Sequence, residues 1–133
     1  MTLESTLESV ARVEAAAFEC ARSAGFDEDT ASNLAMVARE AVVNAVIHGN
    51  RYDLTKHITA AFETTADALR IRICDQGDGV DVEALPDPLA PENLLRASGR
   101  GIFLIRAFMD EVHFRKLTPG TEVTLVKRRL GLE

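Results

Sequence analysis

Residues 40–50 read E-A-V-V-N-A-V-I-H-G-N, a segment in which a carboxylate, an amide and an imidazole recur every four residues among alanine, valine and isoleucine. At helical spacing Glu40, Asn44 and His48 share a face. Ala38, Ala41, Val42, Val43, Ala45, Val46 and Ile47 leave little of the circumference for a solvated stripe. Polar groups held in register on so apolar a helix need specific partners, so this stretch is the first candidate site. A histidine before a glycine at a helix end more often serves as a cap or a core group than as a ligand; His48 and Asn50 are assigned no role, and ending the helix and shaping a pocket floor are open to both.

Working outward, Asp27 starts the helix that carries this stretch, with Glu28 and Asp29 in the first turn, where carboxylates suit the helix dipole. Leu34, Val37, Ala41, Ala45 and Ile47 continue it, and it is expected to end near Gly49. Upstream, Ser5 and Glu8 have capping-box spacing, and Val10, Val13, Ala17, Phe18 and Ala21 recur at threes and fours. This predicts a helix over residues 6–24, stopped by Gly25. No clear strand is read before it.

Downstream the period changes. Residues 57–64 and 69–75 alternate or are β-branched around a short polar connection, the pattern of an antiparallel hairpin. The second of these strands, L-R-I-R-I-C-D, points Leu69, Ile71 and Ile73 one way and its arginines the other. Residues 85–93 hold Pro86, Pro88 and Pro91 without periodicity and read as a loop. An apolar helix follows over residues 102–109, then strands over 111–116 and 121–128, with Pro119-Gly120 placed at the centre of a type II turn. The order predicts one α+β domain over residues 1–133: a two-layer sandwich with a mixed, mainly antiparallel sheet and helices on one face.

A chain of 133 residues suffices for one domain with a sizeable core. The composition, 47% hydrophobic and 27% charged, is that of a soluble globular protein, with no apolar run of membrane-spanning length. The acidic, polar N-terminus lacks a secretory pattern, so a cytoplasmic location is expected. A net charge of -6 argues against general affinity for nucleic acid or anionic membrane. Cys20 and Cys74 form no metal-type spacing and read as buried, reduced thiols.

Two further motifs carry chemistry. Asp75-Gln76-Gly77-Asp78-Gly79 is a D-x-G-x-G turn directly after a strand. Its glycines allow backbone to approach a planar ligand, and Asp75 can accept a hydrogen bond from an amino group, although tight turns use the same residues without a ligand. Gly99-Arg100-Gly101 opens the apolar helix, where free amides attract anions and Arg100 supplies a charge. The same glycines also suit an ordinary helix entry. With no G-x-x-x-x-G-K-[ST] motif and three lysines in the chain, a Walker-type phosphate loop is excluded.

Taken together, E-A-V-V-N-A-V-I-H-G-N, D-Q-G-D-G and G-R-G-I-F-L-I-R-A-F-M-D-E-V resemble the N, G1 and G2 boxes of the Bergerat ATP-binding fold shared by gyrase, histidine kinases and their relatives. Within that fold they resemble the small anti-sigma factors that are serine protein kinases, and the resemblance covers nearly the whole chain. It implies ATP and Mg2+ as cofactors. Asn44 would bind the magnesium, Glu40 would be the general base for a serine hydroxyl, and Asp75 would recognise the adenine amino group, with Gly77 and Gly79 shaping that pocket. Residues 85–98 would form a lid, and Gly99, Arg100 and Gly101 would hold the terminal phosphates. The implied partners are a STAS-domain anti-anti-sigma factor and a sigma factor, with homodimerisation also implied. The alternative is a non-catalytic nucleotide-binding module that sequesters a regulatory protein; it would have no need of a base one turn before the magnesium ligand.

Overall fold

The computed structural model describes residues 1–46, 53, 55–77, 105, 107–117 and 119–129. Its elements run β1 (Thr2–Glu4), α1 (Leu7–Ser23), α2 (Glu28–Asn44), β2 (His57–Thr64), β3 (Ala68–Cys74), β4 (Glu111–Leu117) and β5 (Gly120–Arg128). The strands form one sheet in the order β1-β2-β3-β5-β4. Every pairing in it is antiparallel, so the mixed character expected from the sequence is not found among the described strands.

A strand does precede the first helix. Three residues are too few to show a period in sequence, and β1 is defined by its partner instead, pairing Leu3 with Ile58 and Glu4 with His57. This changes the role of Ser5. It is 1% exposed, and its hydroxyl donates to the Lys56 carbonyl oxygen at 2.5 Å, tying the end of β1 to β2. The cap of α1 consequently moves one residue on: Thr6 accepts the Ser9 N–H at 3.4 Å, in place of the Ser5–Glu8 box.

The other helix ends follow the sequence closely. Gly25, with φ of 98°, stops α1, donating to the Arg22 carbonyl while Phe26 N–H returns to Ala21. These two bonds make a Schellman motif, which needs a left-handed residue where glycine stands. Asp27 caps α2 by accepting the Thr30 N–H at 2.7 Å. At its far end the α-helix stops at Asn44 and widens into a π turn at residues 45–46. Such turns are rare and concentrate at functional positions.

The core lies between the helix pair and one sheet face. Val10, Val13, Ala17 and Ala21 of α1 join Leu34, Val37, Ala38 and Val42 of α2, and these pack with Ile58, Leu69, Ile71, Ile73 and Leu125 of the strands. The alanines let the helices approach closely. On the opposite face, His57, Thr59, Arg70 and Arg72 are exposed, so helices cover the sheet on one side. The predicted helix over residues 102–109 is seen in part: Ile105, Ala107 and Phe108 are helical, and Met109 N–H bonds the Ile105 carbonyl.

Arg129 clamps the two layers together beyond β5. Its guanidinium donates to the Thr65 carbonyl in the β2–β3 turn at 2.8 Å and to the Ala24 carbonyl at the end of α1 at 2.7 Å. A cation at a helix C-terminus is also favoured by the dipole. Arg129→Ala leaves both carbonyls without this donor and is expected to cost about 2–4 kcal/mol, read from the urea midpoint. Arg129→Lys should recover part of the loss.

Candidate nucleotide site

On α2, Glu40 and Asn44 lie one turn apart. The Glu40 side chain is 18% exposed, and Arg39 Nη1 lies 3.9 Å from its carboxylate while Arg39 Nε pairs with Glu14 at 3.4 Å. Asn44 Oδ1 is fully buried and accepts no hydrogen bond. An orphaned amide oxygen is costly unless a ligand completes it. Oxygen is the donor that magnesium selects, and that ion keeps several waters and phosphate ligands, so one protein amide is an adequate contribution. The residue present therefore fits the metal that the sequence implies.

The second group of residues forms at the exit of β3. Asp75 Oδ1 accepts the Gly77 N–H at 3.0 Å, closing an Asx turn, and the Thr121 N–H from β5 at 3.2 Å. Asp75 N–H in turn donates to the Thr121 carbonyl at 3.0 Å. Oδ2 accepts no bond from the described residues, which leaves one carboxylate oxygen for a ligand. Burial pushes the Asp75 carboxyl above its ordinary range, against the Gly77 and Thr121 N–H bonds and the positive charge of Lys56.

Gly120 packs against the backbone of Asp75 and Gln76. A Cβ there would stand 1.9 Å from the Asp75 carbonyl oxygen, and its φ of 111° is left-handed. Leu117 pairs with Gly120, so Gly120 is the first residue of β5 and not a central residue of the turn. The expected placing of Pro119-Gly120 at the turn centre is thus corrected at Gly120. Glycine is required there by the contact with Asp75 and by φ.

Across the sheet, Gln76 Oε1 accepts the His57 N–H from β2 at 2.6 Å. Gln76, Gly120 and Thr121 carry no motif that marks them as site residues from sequence; only the β3–β5 register brings the last two beside Asp75. Cys74, expected to be buried, is half-exposed beside Glu122, and burial and that carboxylate push its thiol up to about 11. Cys20 is also free and half-exposed. Gly79, Gly99, Arg100, Gly101, His48, Asn50 and the lid residues 85–98 lie outside the described residues.

The described residues thus hold a carboxylate and an orphaned amide one turn apart on α2, and a half-satisfied aspartate in a glycine turn at the exit of β3. The chain belongs to the histidine kinase-like ATPase domain family, whose profile matches residues 3–127. Among its relatives, the anti-sigma F factor of Anoxybacillus flavithermus is 37% identical over 125 residues, covering 90% of this chain and 83% of the relative. The serine-protein kinase RsbW of Staphylococcus epidermidis is 35% identical over 111 residues, 78% of this chain and 69% of that one. The fold also matches the histidine kinase domain of the blue-light activated histidine kinase from Erythrobacter litoralis, with a TM-score of 0.58 at 14% identity. That match covers 91% of this chain and 59% of the solved one. No described helix is long and apolar enough to cross a membrane.

Proposed function

We propose that this protein is an ATP-dependent serine protein kinase that acts as an anti-sigma factor and phosphorylates a STAS-type anti-anti-sigma factor. The observation that carries the reading is the buried, unpartnered Asn44 Oδ1 one turn after Glu40. Relatives named anti-sigma F factor and serine-protein kinase support the partner class. Asp75 accepts the adenine amino group, and Gly77 and Gly79 shape the pocket around the base. Gly99, Arg100 and Gly101 hold the terminal phosphates, and Glu40 takes the proton of the incoming serine hydroxyl. Asn44 would hold magnesium, which when bound neutralises phosphate charge. The protein acts in the cytoplasm as a homodimer, with residues 1–133 forming one ATPase domain. Phosphorylation adds about two negative charges to the antagonist, which weakens its grip on a protein of net charge -6 and frees this protein to bind sigma.

The deciding experiment incubates the protein with labelled ATP, magnesium and a serine-bearing STAS partner, and transfer to that serine is expected. Nucleotide-dependent binding of the partner without transfer would favour the non-catalytic module instead. Binding has its own check. ADP with magnesium should raise the melting temperature, and both Asn44→Ala and Asp75→Asn should reduce that rise.

The pH dependence follows from Asp75. A proton would reside on Oδ2, because Oδ1 already takes two N–H donors, and would convert the acceptor into a donor. ADP affinity should therefore fall as pH drops through the raised Asp75 pKa, earlier in an acid titration than for an ordinary aspartate. The sign for the unliganded protein is opposite. A carboxyl raised by folding contributes stability that is present below its unfolded pKa and lost as pH rises through the folded one. Asp75→Asn keeps an oxygen for Gly77 and Thr121 and carries no charge. It should stabilise the unliganded protein at neutral pH while weakening its response to ADP.

A further inference from the structure

Beyond Cys74 the backbone of β3 keeps one ladder bond, from the Asp75 N–H to the Thr121 carbonyl, and the acceptors for the facing N–H groups become two consecutive side chains. Extending the observed registers sets Asp75 opposite Thr121 on β5 and Gln76 opposite His57 on β2. On the β5 side the Thr121 N–H goes to Asp75 Oδ1, where a regular strand would offer its carbonyl. On the β2 side the His57 N–H goes to Gln76 Oε1 at 2.6 Å. The main chain is thereby released to turn at Gly77 while remaining tied to both neighbouring strands. The anchor at His57 is itself secured, because His57 also pairs with Glu4 of β1.

Without the Gln76 bond, the ties of Asp75 to its neighbours among the described residues run through its N–H and Oδ1 to Thr121 and Gly77, and rotation about them swings Oδ2. A directional contact from one oxygen to an amino group is sensitive to such rotation, whereas phosphate binding elsewhere is not. We propose that Gln76 is a positioning residue for base recognition: its bond to His57 fixes the orientation in which Asp75 meets adenine. The inference rests on the assignment of adenine to Asp75 above.

The test compares ADP with inosine diphosphate, which lacks the exocyclic amino group, by titration calorimetry on the full chain. The wild type should prefer ADP by roughly tenfold or more, the effect of a hydrogen bond to a charged acceptor. Gln76→Met keeps the length of the side chain and removes the oxygen. It should bring the ADP to inosine diphosphate ratio down several-fold while leaving affinity for inosine diphosphate unchanged. Gln76→Glu restores an acceptor oxygen; its added charge opposes both nucleotides alike, so the ratio should return towards wild type. A Gln76→Met ratio equal to that of wild type would overturn the proposal, as would equal losses for both nucleotides. A wild type without preference would instead overturn the assignment of adenine to Asp75, and the role of Gln76 with it.

Discussion

Replacing Glu40 with glutamine is expected to reduce phosphoryl transfer to a partner serine by about 10²–10⁴-fold, the usual contribution of a positioned general base. ADP affinity should stay within about twofold of wild type, because an interaction needed only in the transition state lowers kcat without altering ground-state binding. Glutamine preserves the size and hydrogen-bonding reach of the side chain and removes only its capacity to take a proton. The position tolerates the change: the Glu40 side chain is 18% exposed, and its contact with Arg39 is at 3.9 Å, with Arg39 also paired to Glu14. Loss of so long an ion pair, whose Arg39 side is half-exposed and already paired to Glu14, has little effect on stability. Transfer rates under saturating ATP and partner, with an ADP titration alongside, separate the possibilities. Undiminished transfer would remove Glu40 from the base role, and a parallel fall in ADP affinity would make it a binding residue.

Periodicity made the helix layer legible because a helix announces its buried face within a single segment. Val10, Val13, Ala17 and Ala21 lie at helical intervals, and the same residues are buried in α1. Asp27 and Gly25 were readable as cap and stop for the same local reason. What sequence could not give were features set by pairing between distant segments. Strand β1 exists through its bonds to β2, and once it forms, Ser5 is drawn from the helix cap to the Lys56 carbonyl. The candidate site divides likewise. Glu40, Asn44, Asp75 and Gly77 lie in motifs whose chemistry shows at short range. Gln76 resembles any polar turn residue until the register places His57 opposite it. Gly120 resembles any turn glycine until β5 lies against Asp75.

Gly120→Ala should therefore be the more damaging of two comparable substitutions. Gly25 and Gly120 both have left-handed backbone, with φ of 98° and 111°, so alanine at either carries a conformational penalty of about 1–2 kcal/mol. At Gly120 a second effect is added, since the new Cβ would stand 1.9 Å from the Asp75 carbonyl oxygen and 3.2 Å from Gln76 Cα. Those atoms are backbone and cannot swing aside, so either β5 or the Asp75 turn must shift. Overpacking of this kind adds about 1–3 kcal/mol, giving an expected destabilisation of about 2–5 kcal/mol in urea denaturation. The displacement falls on the residue assigned to adenine, so the thermal shift produced by ADP and magnesium should be largely lost. Gly25→Ala serves as the control. Gly25 follows Ala24, whose carbonyl is held by Arg129, and Arg129 N–H bonds Asp67 just before β3, whereas Asp75 follows that seven-residue strand at its other end. Gly25→Ala should lower the urea midpoint and leave the ADP dissociation constant unchanged. Equal nucleotide responses in the two variants would show that Gly120 serves only the turn. A selective loss at Gly120 would tie the packing of β5 to the orientation of Asp75, because the two glycines share their backbone conformation and differ in the carbonyl that one of them must clear.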